Sequence, residues 1–488
     1  MTRLKREVLQ RVRTPRPEVI GLGITLLVAA VLGFVLAGQI VSPSKRVIEA
    51  LMAIAVLVAA FLLPSRWSVG FLLFIMPFPQ YTTIASTTVI FAFIIFAFWI
   101  LRVALGYEGR PVGSGLEVPL LLVLLLLAIS FVMVEDAHWR LAVSDFRVFI
   151  SAVLIFYLVV NLIRTERDIH FVLNALLASF VFVATVAIVE LWIPRYAHIF
   201  DVIHVKSAQA STIEGVRVGS VFGDYEMFAE YLAIFIPIHL IRVLNEKSPL
   251  KQLIWVPMLG TSIMLLLATA TRGGFISMIA GMAYLVWIAR RIVNYQKLLP
   301  VLITALVIFY VSSILLNQYT ATASLFGRLE QTKFVSGMPD TRAQRWSEAW
   351  GRIMDSPWIG HGPYYFIGVD EKNVDHKYPH SLFLFMSHLI GIPGAIVFYW
   401  MLIKALTISY GAAKRFANRR GELAYTVVLL SSILVIFLVD EIKISFLRYD
   451  NTQHFTWTML GLLISTSRVA NRKADEMERA ASEPKQGE

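Results

Sequence analysis

The sequence has no cysteine and little charge: Asp, Glu, Lys and Arg together make up 16% of 488 residues. Without cysteine there is no disulfide framework, thiolate metal site or cysteine nucleophile. Neither a DxD nor an HExxH pattern occurs, so no metal and no cofactor is expected. Internal repeats and low-complexity linkers are also absent. Against this stands a hydrophobic content of 57%, far from the usual soluble balance.

The apolar residues are gathered into runs. Stretches of about 18 residues or more recur along the chain, each long enough to cross a bilayer. Inside hydrocarbon a segment must satisfy its own backbone polar groups, so such runs are expected to be helices. The spacing predicts an all-α, polytopic integral membrane protein with about 14 transmembrane helices, the first at 19–41 and the last at 454–468. The third run, 67–80, is short. The first follows a basic N-terminus and is too long for a cleaved signal peptide, so it is read as a span.

Alternating the runs from a cytoplasmic N-terminus puts "IRTERD", "RVLNEKSPLK", "ARRIVNYQK", "KRFANRR" and "RVANRKADEMER" on the inner side. Lysine and arginine are therefore concentrated there, as the positive-inside rule requires. The net charge of +11 is explained by topology, and nucleic acid is not an expected partner. Both termini are predicted cytoplasmic, and residues 471–488 a frayed polar tail.

On the outer side two connections are long, about 194–224 and 318–380. Loops of that length are functional or disordered. The second carries "TRAQRWSEAWGRIMDSPW", with Trp346, Trp350 and Ile353 at helical spacing and Arg342, Arg345 and Arg352 on other faces. Pro357 should stop that helix, and "IGHGPYYFIG" reads as a glycine-rich turn. The helix fits an amphipathic element lying on the outer leaflet.

Three side chains on this side invite chemistry. Arg272, in "LLLATATRGGFISMIAGMA", lies between two runs with almost no loop; it either faces a protein interior or snorkels to the headgroups. Gly273, Ser277 and Gly281 recur every four residues, a small face for close helix packing. Arg217, in "EGVRVGSVFGDYEMFAEYL", precedes a helix start with Asp224 as its expected cap. Arginine forks and helix N-termini suit phosphate oxygens, although Glu214 or Asp224 would also pair with a loop arginine. His380 follows Pro379 and opens the run at 381. A metal pair with His376 is disfavoured because Pro379 interrupts the helix such a pair would need. A lone histidine suits proton transfer, and nearby arginines would keep it neutral. Pro393, flanked by Gly391 and Gly394, should break the helix and leave 381–390 as a short lead-in segment headed by His380. Two arginines and a neutral base amount to a clamp for a diphosphate and an acceptor for a hydroxyl proton.

At "RVGSVFGDYEMFAEYL", "TATRGG", "RWSEAWGRIMDSPWIGHGP" and "HSLFLFMSHLIGIPG" the chain resembles the O-antigen ligase and polymerase superfamily, over residues 200–410. The resemblance implies a metal-independent glycosyltransferase of a bacterial inner membrane with its active site on the periplasmic face. Its donor would be an undecaprenyl-diphosphate-linked glycan and its acceptor a hydroxyl of a lipid A core or of another glycan. Membrane lipids would be its other partners. Carried over to this sequence, His380 would be catalytic, Arg217 and Arg272 would bind the substrate diphosphate, and Arg345 is a possible substrate contact. Residues 1–193 would be N-terminal transmembrane helices, 194–317 the helices with the arginine motifs, 318–380 the large periplasmic loop, and 381–470 the C-terminal helices. Ser381 stands where the family often has Asn, Leu389 where it often has an acid, and "GDYE" where many relatives read "GNPN"; acceptor identity is the part these departures touch. Polymerase chemistry is the alternative within the family, and a lipid-linked glycan flippase the alternative outside it.

Overall fold

The computed structural model of the protein describes residues 64–77, 87–193, 211–212, 215–222, 224–246, 248–290, 295–319, 334–335, 338–365, 379–416, 422–442, 447 and 450–482. The spans expected at 19–41 and 47–64 lie outside the described residues except for Pro64, and so do Glu214 and His376.

Among the described residues thirteen α-helices carry the fold. In chain order they are α1 (Ser65–Ile75), α2 (Thr87–Ala104), α3 (Glu117–Ser130), α4 (Trp139–Leu162), α5 (Glu166–Trp192), α6 (Tyr225–Asn245) and α7 (Pro249–Ala268). There follow α8 (Arg272–Ala289), α9 (Tyr295–Tyr319), α10 (Asp340–Asp355), α11 (Leu382–Phe416), α12 (Glu422–Asp440) and α13 (Asp450–Ser482). Two antiparallel pairs of two-residue strands, Ser211–Thr212 with Gly215–Val216 and Phe334–Val335 with Met338–Pro339, are the only strands described. Six helical segments are long and apolar enough to cross a membrane: Asp136–Leu162, Glu166–Trp192, Tyr225–Leu244, Pro249–Ala268, Leu382–Arg415 and Leu423–Asp440. Five shorter apolar helices accompany them, among them Ser65–Ile75, where the sequence suggested 67–80.

Local signals account for the helix starts. Thr165 and Asp168 form a reciprocal capping box at α5. At α6 the carboxylate of Asp224 accepts from the amides of Glu226 (2.7 Å) and Met227 (3.3 Å), the cap the sequence predicted. Between apolar helices the contribution of close packing matters more than area removed from water. Accordingly α5, α6 and α13 meet through stacked rings: Phe180 lies 5.0 Å from Phe235, and Phe235 lies 6.0 Å from Phe455. Small residues bring α8 onto its neighbours. A Cβ on Gly281 would fall 2.1 Å from Ile436 of α12, and one on Gly274 would fall 2.8 Å from Ala229 of α6. Of the expected small face, Ser277 is buried and Gly281 sets the α12 contact, and the neighbouring Gly274 presses on α6.

The helices alternate in direction, and their ends fall into two groups. At one end Ser220, just before α6, donates its amide to Glu190 near the end of α5 (2.9 Å). There too Thr271, between α7 and α8, donates to the Tyr225 carbonyl (3.4 Å), and Leu382 of α11 donates to the Glu441 carbonyl past α12 (2.8 Å). At the opposite end Arg164 donates to the carbonyls of Gly109 (3.0 Å) and Arg110 (2.7 Å), and Arg468 to that of Ile163 (2.9 Å). Several of the basic segments that the charge pattern put on one side thus share one end of the bundle.

Residues 471–482 were expected in a frayed tail; they continue α13 as far as Ser482. Arg415 pairs with Asp475 (2.5 Å) and Glu478 (3.2 Å), and Lys473 pairs with Glu166. Exposed pairs are individually weak, but together they tie this part of α13 to α11 and α5. Such partners are distant in sequence, so composition alone did not reveal them.

Helix α11 is two helices in one run, broken at Ile390 and at Gly391, which has φ +73°. The break fits the lead-in segment expected from Pro393. A glycine-rich turn satisfies the backbone groups it frees. His361 donates its amide to the His388 carbonyl (2.8 Å), Gly362 to Leu389 (3.2 Å), and Ile392 to Pro357 (2.8 Å). The two backbones nearly touch: a Cβ on Gly391 would lie 2.5 Å from the Trp358 carbonyl, and one on Gly360 would lie 2.5 Å from Leu389. Irregular backbone at membrane depth survives only when protein covers it in this way. Gly391→Ala is therefore expected to cost about 2–5 kcal/mol from the strained φ and the clash. Gly411→Ala, where no atom lies within 4 Å, should be neutral. Thermal unfolding of the two variants in detergent checks the contrast.

Helix α10 ends two residues before Pro357, as predicted. Its buried face is Ala349 and Ile353, with Trp346 packed beside them, against Leu384 of the lead-in segment. Trp350, expected on that stripe, is 44% exposed. Met354 is exposed with it, as is Trp358 in the turn that follows, so α10 and that turn present a second apolar strip to the outside.

Candidate active site

Three non-glycine residues among those described have left-handed backbone: Ser220 (φ 50°), Ala270 (φ 48°) and His380 (φ 48°). Each such residue costs about 1–3 kcal/mol and persists only where its surroundings impose it. All three fall at the same end of the bundle, beside or at a residue singled out from sequence: Ser220 follows Arg217, Ala270 precedes Arg272, and the third is His380 itself.

Arg217 is 4% exposed. Its Nε donates to the Thr269 carbonyl (2.9 Å), and its Nη2 donates to the Ala270 carbonyl (3.4 Å) and Thr271 Oγ1 (3.0 Å). The guanidinium lies over the Tyr225 ring, 3.1 Å from its centroid. These contacts hold the turn that joins α7 to α8. Val218 continues the grip by donating its amide to the Ala268 carbonyl (3.4 Å). The loop carrying Arg217 is fixed in turn through Ser220, whose hydroxyl donates to the Val183 carbonyl (2.8 Å).

The pinned turn presents Arg272 as the first residue of α8, half-buried, with the helix N-terminus around it. The first-turn amides of α8 carry the positive end of the helix dipole. The level of Arg272 follows from the packing of α8 on α12. A Cβ on Gly281 would lie 3.1 Å from the Ser432 carbonyl. Nine residues separate Gly281 from Arg272, and nine separate Ser432 from Glu441, about 14 Å of helix in each case. Arg272 is therefore level with Glu441, whose carbonyl holds the start of α11.

His380 stands at that start, half-buried behind the buried Pro379. Its Nε2 is hydrogen-bonded to a guanidinium nitrogen of Arg345. Arginine only donates, so in this contact Nε2 is the acceptor. The structure thus brings Arg345 and His380 together, and sets Arg217 and Arg272 on one turn at the same end.

Sequence reasoning missed the histidines behind this site. His388 is 2% exposed, stacks on His361 with ring centroids 4.7 Å apart, and meets Tyr365 at 4.6 Å. His361 also donates from Nε2 to the Arg352 carbonyl (2.7 Å). This stack locks α10 and the glycine turn onto the broken helix, and so sets where Arg345 sits relative to His380. The signal was present: an ionisable residue inside an apolar run always needs a partner. Outside the helices, Tyr364 stacks on His138 at 5.2 Å. Burial holds its phenol above the ordinary value, and the nearby Glu135 adds to the shift.

Residues 257–399 match the model of a protein family described as O-antigen ligase. The matched segment contains Arg272, Arg345 and His380, and ends before Trp400. No curated protein matches the chain.

Proposed function

From the match of residues 257–399 to the O-antigen ligase family, we propose that the chain is a glycosyltransferase of the ligase type. In this reading it moves a glycan from undecaprenyl diphosphate to an acceptor hydroxyl on a lipid A core. The reaction takes place at the periplasmic face of a bacterial inner membrane, with both termini cytoplasmic and about fourteen spans in all. The basic end of the bundle is then cytoplasmic, and 318–380 forms the large periplasmic loop. The exposed strip formed by Trp350 and Met354 of α10 and Trp358 of the turn after it suits the headgroup boundary, where amphipathic aromatics settle.

The single observation that carries the reading is the contact between Arg345 and His380. It keeps a neutral base at the mouth of the site with its lone pair in waiting. In the transfer step the acceptor oxygen attacks the anomeric carbon, its proton passes to Nε2 of His380, and the bond from that carbon to the diphosphate oxygen breaks. Undecaprenyl diphosphate leaves with the electron pair. Arg272 and the first-turn amides of α8 meet the charge that develops there. Because Arg217 already spends its Nε and Nη2 donors on the turn, we assign the diphosphate chiefly to Arg272, and to Arg217 the holding of the turn that presents it. Arg345 has to leave Nε2 before the proton can arrive. An incoming diphosphate gives its guanidinium a better acceptor, so donor loading would release the base.

Analysis of surface glycans in a deletion strain tests the reading. Intact polymer stranded on carrier lipid, with an undecorated lipid A core, is the expected result. Chains shortened to a single repeat unit would mean a polymerase of the same superfamily. Lipid-linked glycan trapped on the cytoplasmic side would mean a flippase and would end the transferase reading.

A further inference from the structure

A second cleft at the same end of the bundle is lined by Asp145 and Phe149 of α4, Asp450 and Gln453 of α13, Pro363 of the glycine turn, and Phe385 of the lead-in segment. Its cavity volume is about 50 Å³. Asp145 and Asp450 both face it. Gln453 is 6% exposed, and its side-chain oxygen is buried with no hydrogen-bond partner. An amide in that position costs about 1–3 kcal/mol unless a ligand completes it. Among the described residues, the lining holds no lysine or arginine, so nothing there clamps the diphosphate of a carrier lipid. Carboxyl and amide oxygens accept hydrogen bonds from neutral hydroxyls. The remaining lining is largely apolar and includes the rings of Phe149 and Phe385. Carboxylate and amide acceptors beside flat apolar walls suit a sugar ring, which has hydroxyls at its edge and C–H groups on its faces.

We propose that this cleft is a sugar subsite that holds a residue of the acceptor glycan. The lead-in segment is the wall between it and α10: Phe385, Met386 and Leu389 face the cleft, whereas Leu384 packs on Ala349 and Ile353. His380 heads the same segment, so a sugar held against Phe385 lies within a few residues of the base. The segment's position is set by the helix break at Gly391, which makes the break part of acceptor recognition. This inference rests on the transferase reading and adds to it the place where the acceptor binds.

The test uses the full-length protein in nanodiscs and two probes. One is the oligosaccharide fraction released by mild acid from the source strain's envelope glycans; the other is undecaprenyl diphosphate. Saturation-transfer NMR follows the first, and binding of the second is measured separately. Asp450→Asn and Gln453→Leu are expected to weaken oligosaccharide binding about tenfold or more, the loss of one strong hydrogen bond. Affinity for undecaprenyl diphosphate should stay as in the wild type. Asp145→Asn keeps the size of the side chain, so its melting temperature should hold while oligosaccharide binding falls; a misfolded variant would lose both, and Asp450→Asn and Gln453→Leu then decide. Oligosaccharide binding that survives all three substitutions overturns the subsite and leaves the transferase reading standing. Binding of calcium at the pair, with no oligosaccharide bound, overturns it in favour of a cation site. Failure of the wild type to bind either probe overturns both readings.

Discussion

His380→Ala is expected to lower glycan transfer about 10²–10⁴-fold, the usual contribution of a positioned general base, while binding of undecaprenyl diphosphate persists. The two readouts separate because the base touches the acceptor proton and the donor is held elsewhere. Nε2 carries the lone pair that Arg345 now occupies. His380→Gln retains a polar group of similar reach but cannot take up a proton, so it should be nearly as inactive as the alanine variant. Left-handed backbone at this position (φ 48°) also tells against a merely structural residue, because asparagine or glycine adopts that conformation at lower cost. Purified protein, lipid-linked donor and acceptor glycan are sufficient for the measurement. Full transfer by the alanine variant would remove the base from the mechanism.

Arg272→Ala is expected to lower transfer about 10²–10³-fold, the typical cost of one lost donor to a developing anion, and to weaken donor binding as well. Arg272→Lys should recover only part of this, because lysine offers a point charge where the guanidinium offers a fork. With the charge supplied by arginine and helix amides, a chelator is expected to leave the rate unchanged. Arg217→Ala makes an informative comparison. Its side chain holds the carbonyls of Thr269 and Ala270, so its loss should loosen the turn and lower thermal stability along with activity. Arg272→Ala should lower activity with the melting temperature intact. Inactive and equally destabilised variants at both positions would mean that Arg272, too, merely holds the fold together.

The helical architecture was legible because its causes are local. Apolar runs, the cap at Asp224, the stop at Pro357 and the break near Pro393 each follow from a few neighbouring residues. The partition of charge was legible for the same reason, since each loop carries its own lysines and arginines. Trp350 shows where local reading stops. Its spacing fits the buried stripe, but α10 docks only a narrow face on Leu384 and leaves Trp350 outside. Arg217 shows it again: the motif suggested a phosphate ligand, whereas the fold gives most of its donors to a turn more than fifty residues away. The helical continuation to Ser482 depends on ion pairs with Arg415 and Glu166, which no local window contains.

The sequence by itself determined that the chain is a bundle of apolar helices, which ends of them carry positive charge, and which side chains were available for chemistry. Those properties depend on composition and short-range periodicity. Only the tertiary structure decided that Arg345 meets His380, that Arg217 serves the turn before Arg272, and that Asp145, Asp450 and Gln453 line one cleft. Each of these joins residues tens to hundreds of positions apart. Such meetings are set by how helices cross and by which small residues let them approach, a property of the packed bundle that no single stretch encodes.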